Sequence, residues 1–283
     1  MTSLVGKEIV VTGATDGIGK VTARELAKMG ASVTIVGRNA AKGEAVVAEL
    51  RKVAGHDRVG FVAGDLENQK GVRAVVAAIK GRLKKLDVLV NNAGAMFMKR
   101  ELTEDGIERT FALNHLGYFL LTHELLGLLK SSAPARVVTV ASAAHQDAKL
   151  DFSDLQNAKS YSGYKVYGQS KLANIYFTYE LARRLKGTNV TANCLHPGFV
   201  ATRFGNNTSG IFRLMIGWAK LVAAISEDEG AKTSVYLASS PEVQGVSGMY
   251  FDKCAAIRSS AVSYDVDVAR ELWRQSERLT GVA

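Results

Sequence analysis

The chain has 283 residues, 47% of them hydrophobic, and a formal net charge of +9. It can bury a sizeable single core, and the absence of repeats, low-complexity tracts and Ser/Pro-rich or Gly/Ser-rich linkers argues against a repeat protein or two linked domains. The basic residues are spread out, and their densest cluster (80–85) lies at a predicted helix end, which suits cations, so we expect no nucleic-acid partner.

Short β-branched runs alternate with amphipathic segments, which is typical of β-α-β units and a parallel sheet. The predicted strands are Glu8–Val11, Ser32–Val36, Val59–Ala63, Val88–Val90, Arg136–Val140, Val190–Leu195 and Met249–Phe251. The predicted helices are Gly17–Met29, one ending near Arg51, Gly71–Leu83, Glu104–Leu129, Tyr164–Lys186, Glu229–Ala238 and Val268–Leu279. Residues 143–160 are predicted to be irregular. We expect an α/β fold: a single domain (1–283) with a doubly wound parallel sheet and helices on both faces.

The first strand runs directly into the glycine-rich stretch Thr12-Gly13-Ala14-Thr15-Asp16-Gly17-Ile18-Gly19. Such a turn lets the backbone approach a pyrophosphate at the N-terminus of the next helix. The spacing is G-x-x-x-G-x-G, not G-x-G-x-x-G, and a glycine-rich turn without a ligand stays an alternative. Its place at the start of the β/α series favours dinucleotide binding.

The end of the second strand indicates which dinucleotide would bind. Gly37 stands where an acid would bind the 2′-hydroxyl of NAD, and Arg38 follows at once. A guanidinium with no carboxylate beside it favours a 2′-phosphate, and hence NADP. The alternative is an arginine that only starts a solvated loop.

Tyr167 and Lys171 lie four residues apart in a predicted helix, so their side chains share one face. We expect the ammonium to lower the pKa of the phenol, typically by roughly 1–3 units, and to make it a general acid/base. Tyr161 and Lys165 have the same spacing, but Gly163 and the polar stretch before it predict a poor helix there.

In order, these motifs resemble those of the short-chain dehydrogenase/reductase family from end to end. The family's T-G-x-x-x-G-x-G turn, adenine-contacting Asp, N-N-A-G signature, Y-x-x-x-K pair and P-G motif resemble Thr12 to Gly19, Asp65-Leu66, Asn91-Asn92-Ala93-Gly94, Tyr167 with Lys171, and Pro197-Gly198. Asn114 and Ser142 stand where the family keeps its active-site Asn and Ser, and Thr202 where a hydroxyl touches the nicotinamide amide.

The resemblance implies a set of site residues. The implied cofactor-binding residues are Gly13, Thr15, Asp16, Gly17, Ile18, Gly19, Arg38, Asp65, Leu66, Asn92, Ala93, Gly94, Tyr167, Lys171, Pro197, Gly198, Val200 and Thr202. The implied catalytic residues are Asn114, Ser142, Tyr167 and Lys171. In that assignment Tyr167 exchanges a proton with the substrate oxygen, Ser142 orients that oxygen, and Lys171 also holds the nicotinamide ribose. Asn114 secures a water that links Lys171 to solvent.

Within the family, the runs 111–117, 170–174 and 195–198 resemble the retinol dehydrogenase and WW-domain oxidoreductase branch. The chain departs from that branch in three ways. We expect no WW domain and no N-terminal membrane anchor before the fold, and the branch's Ser-Ser pair is Ala141-Ser142 here, which keeps the second hydroxyl.

The apolar segment 203–225 follows the P-G motif and is predicted to be a lid over a lipophilic substrate, with an amphipathic docking helix as the alternative. His115, His145 and His196 lie in separate segments without metal spacing, so we predict no metal site. We expect these histidines to serve in packing or loop hydrogen bonds, with His145 the best candidate to line the pocket. Trp273 is predicted to be a core contact of the last helix or part of an oligomer surface.

The remaining features concern the compartment. Residues 1–8 lack the pattern of a signal peptide, and no apolar run reaches the roughly 18 residues of a membrane span. Cys194 and Cys254 lie in predicted strand runs, and we expect buried free thiols. We therefore expect a soluble, cytoplasmic protein without an integral membrane segment.

Together the sequence predicts an NADP-dependent oxidoreductase that interconverts an alcohol and a ketone or aldehyde on a lipophilic small molecule. A cofactor-sensing regulator that has lost its chemistry is the rival, although such proteins usually lack part of the Tyr-Lys-Ser set. A nucleic-acid binder would show a steeply salt-dependent shift on DNA. Whether the protein forms a homodimer or a homotetramer is left open.

Overall fold

The computed structural model describes residues 2–198 and 225–282. Within these ranges eight strands form one sheet in the order β3-β2-β1-β4-β5-β6-β7-β8. The strands are β1 (Glu8–Thr12), β2 (Ser32–Gly37), β3 (Val59–Ala63), β4 (Val88–Asn91), β5 (Ala135–Val140), β6 (Val190–Leu195), β7 (Tyr250–Asp252) and β8 (Ala255–Ile257). β1 to β7 are parallel, and β8 pairs antiparallel with β7.

The described helices are α1 (Gly17–Lys28), α2 (Ala40–Ala54), α3 (Gln69–Arg82), α4 (Arg109–Phe111), α5 (Gly117–Ser131), α6 (Gly163–Arg184), α7 (Glu227–Ser239) and α8 (Val266–Thr280). Several begin at a short polar residue whose side chain accepts a backbone N–H: Asn39 caps α2 and Asn68 caps α3. The cap at Asn68 explains why α3 begins at Gln69, two residues before the predicted start.

The sheet is covered on both faces, which confirms the predicted doubly wound α/β fold. Successive strand residues point to opposite faces. In β1, Ile9 and Val11 belong to the core shared with α1, α2 and α7, whereas Val10 belongs to the core shared with α3, α5 and α6. From α8, Trp273 packs into the second core and stacks on Phe177, with ring centroids 5.9 Å apart, so the predicted core contact of the last helix is confirmed.

The strand order reverses at β1, which pairs with β2 on one side and with β4 on the other. In open α/β sheets this reversal creates a crevice outside the carboxyl ends of the strands, where ligands bind. The turn from β1 to α1 and the loop after β4 border that crevice. The glycine-rich turn and the Asn-Asn-Ala-Gly stretch therefore face each other.

The predicted helix Glu104–Leu129 is wrong at its start. The chain from 101 to 108 is not helical, and Leu102 forms an isolated bridge with Glu108. The helix begins at Arg109 because the buried Glu108 carboxylate accepts the N–H groups of Thr110 (2.8 Å) and Phe111 (2.7 Å). A π turn (Ala112–Leu116) then joins α4 to α5.

The last strands also differ from the prediction. β7 is shifted by one residue from Met249–Phe251, and β8 was not predicted. Cys194 is buried in β6, but Cys254 lies in the turn between β7 and β8 with a φ of 63°, so its placement in a strand is wrong. Both cysteines are free, as predicted, but only Cys194 is buried, whereas Cys254 is partly exposed.

Two predictions about membranes and the lid concern limited parts of the chain. Across residues 2–198 and 225–282, no helix has both the length and the apolar character that a membrane crossing requires. The predicted lid (203–225) lies outside the described residues except for Ile225, and Val200 and Thr202 lie outside them as well.

Candidate active site

The glycine-rich turn packs directly on the loop after β4. Gly13 has a φ of +63°, and a Cβ added to it would lie 2.7 Å from the Cα of Ala93. A Cβ on Gly19 would overlap the side chain of Asn92. Both positions therefore require glycine, because the turn that leads into the N-terminus of α1 packs so closely on the loop after β4. A helix N-terminus approached by side-chain-free backbone fits a pyrophosphate.

Thr12 fixes the two turns to each other, although it is outside the predicted cofactor-binding set. Its buried Oγ1 accepts the backbone N–H groups of Asn92 (2.9 Å) and Ala93 (3.1 Å). In return, the Asn92 amide donates to the carbonyls of Thr12 (2.9 Å) and Gly13 (3.2 Å). Asn92 thus shapes the cleft through the backbone. The signal for Thr12 was its place at the head of the glycine motif.

The end of β2 has no room for the acid that an NAD site would carry. A Cβ on Gly37 would lie 2.7 Å from Cγ2 of Thr15, which comes from the glycine-rich turn. Asp65 follows β3, and its Oδ1 accepts the backbone N–H of Glu67 (3.0 Å). Leu66 is buried between them. The residues predicted to surround the adenosine half of a dinucleotide therefore lie at neighbouring strand ends.

Arg38 projects from the end of β2, but the prediction that no acid lies beside it is wrong. Its Nη1 donates to Oε1 of Glu67 at 2.6 Å. The Glu67 carboxylate is nearly buried and also binds Nε of Arg109 at 2.7 Å. Two guanidinium groups thus share the Glu67 carboxylate, and Nη1 of Arg109 also binds Oε2 of Glu101, so the two positive and two negative charges of this group balance. The acid was missed because Glu67 lies 29 residues from Arg38 in sequence.

Ser142, Tyr167 and Lys171 come together at the carboxyl end of β5. Ser142 lies two residues after the strand and caps a short 3₁₀ turn (Ala143–His145). Its hydroxyl hydrogen-bonds to the hydroxyl of Tyr167, which lies on α6. One turn further on, Nζ of Lys171 donates to the carbonyl of Val140 (3.1 Å) and lies 5.6 Å from the centroid of the Tyr167 ring. The fold thus brings the three predicted groups together.

Burial is the main influence on the pKa values of Tyr167 and Lys171. It raises the pKa of Tyr167 well above its ordinary value, against the opposing effect of the hydrogen bond with Ser142. It also lowers the pKa of Lys171 to about 7. The prediction that Lys171 lowers the pKa of Tyr167 is therefore wrong for this arrangement. Removing both groups from water disfavours both charges, and this outweighs their attraction.

Asn114 lies in the π turn and joins the cleft to α6. Its Oδ1 accepts the N–H of Ala95 (2.9 Å), while its Nδ2 donates to the Ala95 carbonyl and to Oγ of Ser170 (both 2.9 Å). A Cβ on Gly94 would lie 3.2 Å from Asn114 Oδ1 and 3.3 Å from Lys171 Nζ. The predicted cofactor loop and the predicted catalytic residues thus meet at Gly94.

The competing pair, Tyr161 and Lys165, is not aligned in the same way. Tyr161 precedes α6, and its hydroxyl is within hydrogen-bond distance of the Phe97 carbonyl (2.9 Å) and of Glu108 (3.1 Å). Burial raises its pKa to about 12. Lys165 is exposed. Tyr161 therefore holds the loop after β4 onto the start of α4.

The histidines serve in packing and loop hydrogen bonds, as predicted. His115 is buried, with Nε2 2.8 Å from Oγ of Ser276, and burial lowers its pKa to about 3. His196 pairs with Asp252 at 3.4 Å. His145 is fully buried behind Ser142, so the prediction that it lines the pocket is wrong. In the described part of the chain, no cluster of three or more His, Cys, Asp or Glu could hold a metal ion.

The Pro197-Gly198 motif follows β6 at the same edge of the sheet. Gly198 has a φ of +80°, and a Cβ there would lie 2.8 Å from Cδ1 of Ile225. The N–H of Gly198 donates to Nδ1 of His196 (3.2 Å). The motif thus lies at the carboxyl ends of β5 and β6, the same edge of the sheet as Ser142.

A glycine-rich turn at a strand-order reversal, joined to a Ser-Tyr-Lys group, is the arrangement typical of an oxidoreductase with a dinucleotide site. The family model for short chain dehydrogenases matches residues 7–210. The chain therefore belongs to the short-chain dehydrogenase family, as predicted.

Similar proteins place it near one branch of that family. Retinol dehydrogenase 14 of Homo sapiens is 43% identical over 296 residues, covering 98% of this chain and 87% of the relative. Polyprenol dehydrogenase of Homo sapiens is 42% identical over 282 residues, covering 96% and 84%. The predicted resemblance to retinol dehydrogenases is thereby confirmed.

Solved structures agree with the fold. An uncharacterized protein from Mycobacterium paratuberculosis superimposes with a TM-score of 0.81 at 34% identity, covering 99% of this chain and 96% of that one. The RhlG/NADP active-site complex of Pseudomonas aeruginosa superimposes with a TM-score of 0.72 at 28% identity, covering 88% and 95%.

Proposed function

We propose that this protein uses NADP(H) to interconvert an alcohol and a ketone or aldehyde on a lipophilic small molecule. The observation that carries the proposal is the hydrogen bond between the hydroxyls of Ser142 and Tyr167, with Lys171 buried one helical turn away. Two hydroxyls that converge on one point can bind a single substrate oxygen. The relatives named for retinol and polyprenol support a lipophilic substrate.

When bound, NADP would supply the hydride chemistry. The glycine-rich turn and the loop at 92–94 would hold its phosphates and nicotinamide half, because they lie against each other at the strand-order reversal, where ligands bind in such sheets. We assign the 2′-phosphate to Arg38, because Gly37 leaves no room for an acid and the Arg38 side chain is exposed at the end of β2, where its guanidinium can bind an anion. The NADP complex of the Pseudomonas aeruginosa protein supports this choice.

The protonation of the site favours the reduction of a carbonyl. Burial raises the pKa of Tyr167, so the phenol keeps its proton at neutral pH and can donate it to a substrate oxygen. Ser142 would hold the same oxygen in place. Lys171, with a pKa of about 7, can accept or release a proton near neutrality. We assign to the π turn at Asn114 the holding of a water that connects Lys171 to solvent.

We also propose that the whole chain, residues 1–283, works as one Rossmann-fold unit. The support is that elements from both halves build the same layers. In sequence, β6 and β7 extend the sheet that β1 to β5 begin, and α7 packs with α1 and α2 in one core.

A substrate screen tests the function. NADPH absorbance is followed with aliphatic, aromatic, steroid and retinoid carbonyls, and NADPH binding is measured separately. We expect NADPH consumption with apolar carbonyls and its loss in Tyr167→Phe. Tight NADPH binding without turnover of any carbonyl, or of the matching alcohols with NADP, would contradict the proposal and favour a cofactor-sensing regulator.

A further inference from the structure

His145 is a buried imidazole that has no part in the proton transfer proposed above. It ends the 3₁₀ turn that Ser142 caps, and it is 0% exposed. Its Nδ1 lies 2.7 Å from the backbone carbonyl oxygen of Ser142. Its Nε2 lies 3.1 Å from the backbone nitrogen of Ser260, which follows β8. The His145 ring thus joins the serine turn (residues 142–145) to a segment that lies 115 residues further along the chain.

These two partners determine the tautomer of the ring. A backbone carbonyl can only accept a hydrogen bond, so Nδ1 must carry the proton that bonds to Ser142. A backbone N–H can only donate, so Nε2 must be unprotonated toward Ser260. If Nε2 were protonated as well, its N–H would point at the backbone N–H of Ser260, and two donors would face each other. Burial lowers the pKa of His145, which acts in the same direction.

The titratable groups around His145 come from β6 and β7. The ring of Tyr250 packs edge-on at 5.1 Å between centroids, with its hydroxyl 3.5 Å from Nδ1. His196 stacks on Tyr250 at 5.7 Å and pairs with Asp252, and Lys253 acts on His196 from the adjoining turn. His196 further lowers the pKa of His145, so the surroundings keep the ring neutral.

The serine turn is held from two sides. On the α6 side, a Cβ on Gly168 would lie 2.6 Å from the carbonyl oxygen of Ala144, so helix and turn are in direct contact. On the opposite side, the His145 ring supplies the bond to Ser260. Without it, the turn would keep its link to β5 and its contact with α6 but lose its bond to the segment after β8, and Ser142 could rotate away from Tyr167.

We propose that His145 is a positioning residue for Ser142: its neutral, Nδ1-protonated ring anchors the serine turn to the segment after β8. This inference rests on the proposed function insofar as Ser142 acts on the substrate. It predicts an effect on turnover that passes through the Ser142 hydroxyl and leaves the cofactor cleft unchanged.

A double-mutant cycle tests this route. His145→Asn keeps a donor for the Ser142 carbonyl but is too short to reach Ser260, whereas His145→Gln keeps an acceptor for Ser260 and loses the first donor. We expect each to lower kcat by roughly tenfold, with the KM for NADPH unchanged. In a Ser142→Ala background the same substitutions should change kcat by less than about twofold, because the hydroxyl that they position is gone.

The outcomes separate a positioning role from a general structural one. Equal losses in both backgrounds, or no loss in either, would overturn the proposal. Full activity of His145→Asn would overturn the role given to Ser260. If the wild-type protein turns over no carbonyl in the substrate screen, the failure belongs to the proposed function and the next measurement decides on His145.

That measurement is ¹⁵N NMR of the imidazole rings in the wild-type protein, with the His145 signals identified by their loss in His145→Asn. We expect a protonated Nδ1 and an unprotonated Nε2 from about pH 5 to 8, a range in which an ordinary histidine titrates. An Nε2-protonated ring, or titration near the ordinary pKa, would overturn the proposal whether or not a substrate is known.

Discussion

The two ends of the cleft differ in how their charged side chains are buried and paired. At the end of β2, Arg38 is 58% exposed on its side chain and shares the Glu67 carboxylate with Arg109. At the end of β5, Lys171 is 3% exposed and donates to a neutral carbonyl. Charges at the first end are paired with opposite charges. The charge at the second end is desolvated, and its pKa falls to about 7.

This difference matches what each end has to do. Recognition of an anion needs a permanent positive charge, and a guanidinium that is paired but exposed keeps it at every physiological pH. Proton transfer needs groups whose charge can change, and burial without a counter-ion provides that. The predictions below test the comparison, from the largest expected effect to the smallest.

Tyr167→Phe should have the largest effect, because it removes only the hydroxyl that holds the proton. We expect kcat to fall by roughly 10²-fold or more, while NADPH affinity and the fold survive. Steady-state kinetics and NADPH titration measure the two quantities. A fully active Tyr167→Phe protein would contradict the assignment of the proton donor.

Lys171→Met should stabilise the protein while it abolishes turnover and weakens cofactor binding. The folded-state pKa of about 7 lies below the ordinary lysine value of 10.5, so the folded state binds fewer protons between these values. Wild-type stability therefore rises with pH across that window, and the burial penalty is fully present below about pH 7. Removing the ammonium should raise the free energy of unfolding by on the order of 4 kcal/mol near pH 6 and by little near pH 10.

Urea denaturation at both pH values measures this gain without cofactor. Lys165→Met, a change of an exposed lysine on the same helix, is the matched control and should leave stability nearly unchanged. A Lys171→Met protein that is less stable than the wild type at acidic pH would show that burial of the ammonium does not lower the stability of the folded protein.

Arg38→Ala should remove most of a preference for NADP(H) over NAD(H) that we expect to be at least tenfold, or about 1.4 kcal/mol. Glu67→Gln keeps the size of the side chain and releases Arg38 from a carboxylate, so it should tighten NADPH binding by a few-fold. Calorimetric titration of the wild type and both variants with NADPH and NADH measures these effects. Equal affinity of the wild type for both cofactors would contradict the role of Arg38.

Tyr161→Phe should have the smallest effect and the opposite pattern to Tyr167→Phe. It removes a partly buried hydroxyl that bonds near Phe97 and Glu108, so stability should fall by about 1 kcal/mol. Turnover should stay within a few-fold of the wild type. Thermal unfolding together with kinetics decides between the two tyrosines.

Sequence pattern predicted the frame of this molecule well, because β-branched alternation marks buried parallel strands. Each parallel strand was predicted to within one residue at either end. β8 was missed because its three residues, Ala255–Ile257, carry almost no pattern and are all exposed. The start at Glu104 was wrong because the acidic side chain that caps the helix, Glu108, lies inside the predicted helical segment.

At the site, motifs identified which residues meet but not how they affect one another. Glu67 and Ser260 approach Arg38 and His145 only through the order of the strands, which spacing along the chain does not reveal. The pKa values of Tyr167 and Lys171 were predicted in the wrong relation because a helical pattern shows proximity, whereas burial is set by the packing of α6 on the sheet. Residue spacing along the chain therefore predicted which groups lie close together, but it did not predict how burial would shift their pKa values.

The π turn at Ala112–Leu116 has a consequence for insertions and deletions. Its five residues are all buried, and the N–H of Gly117 bonds back to the carbonyl of Ala112 across an enlarged ring. A π turn is equivalent to one residue inserted into an α-helix, and removing that residue would rotate the preceding segment by about 100° relative to α5. Asn114 and the buried face of α5 could then no longer face inward together. We therefore expect the loss of a single residue from this turn to disrupt both the core and the site.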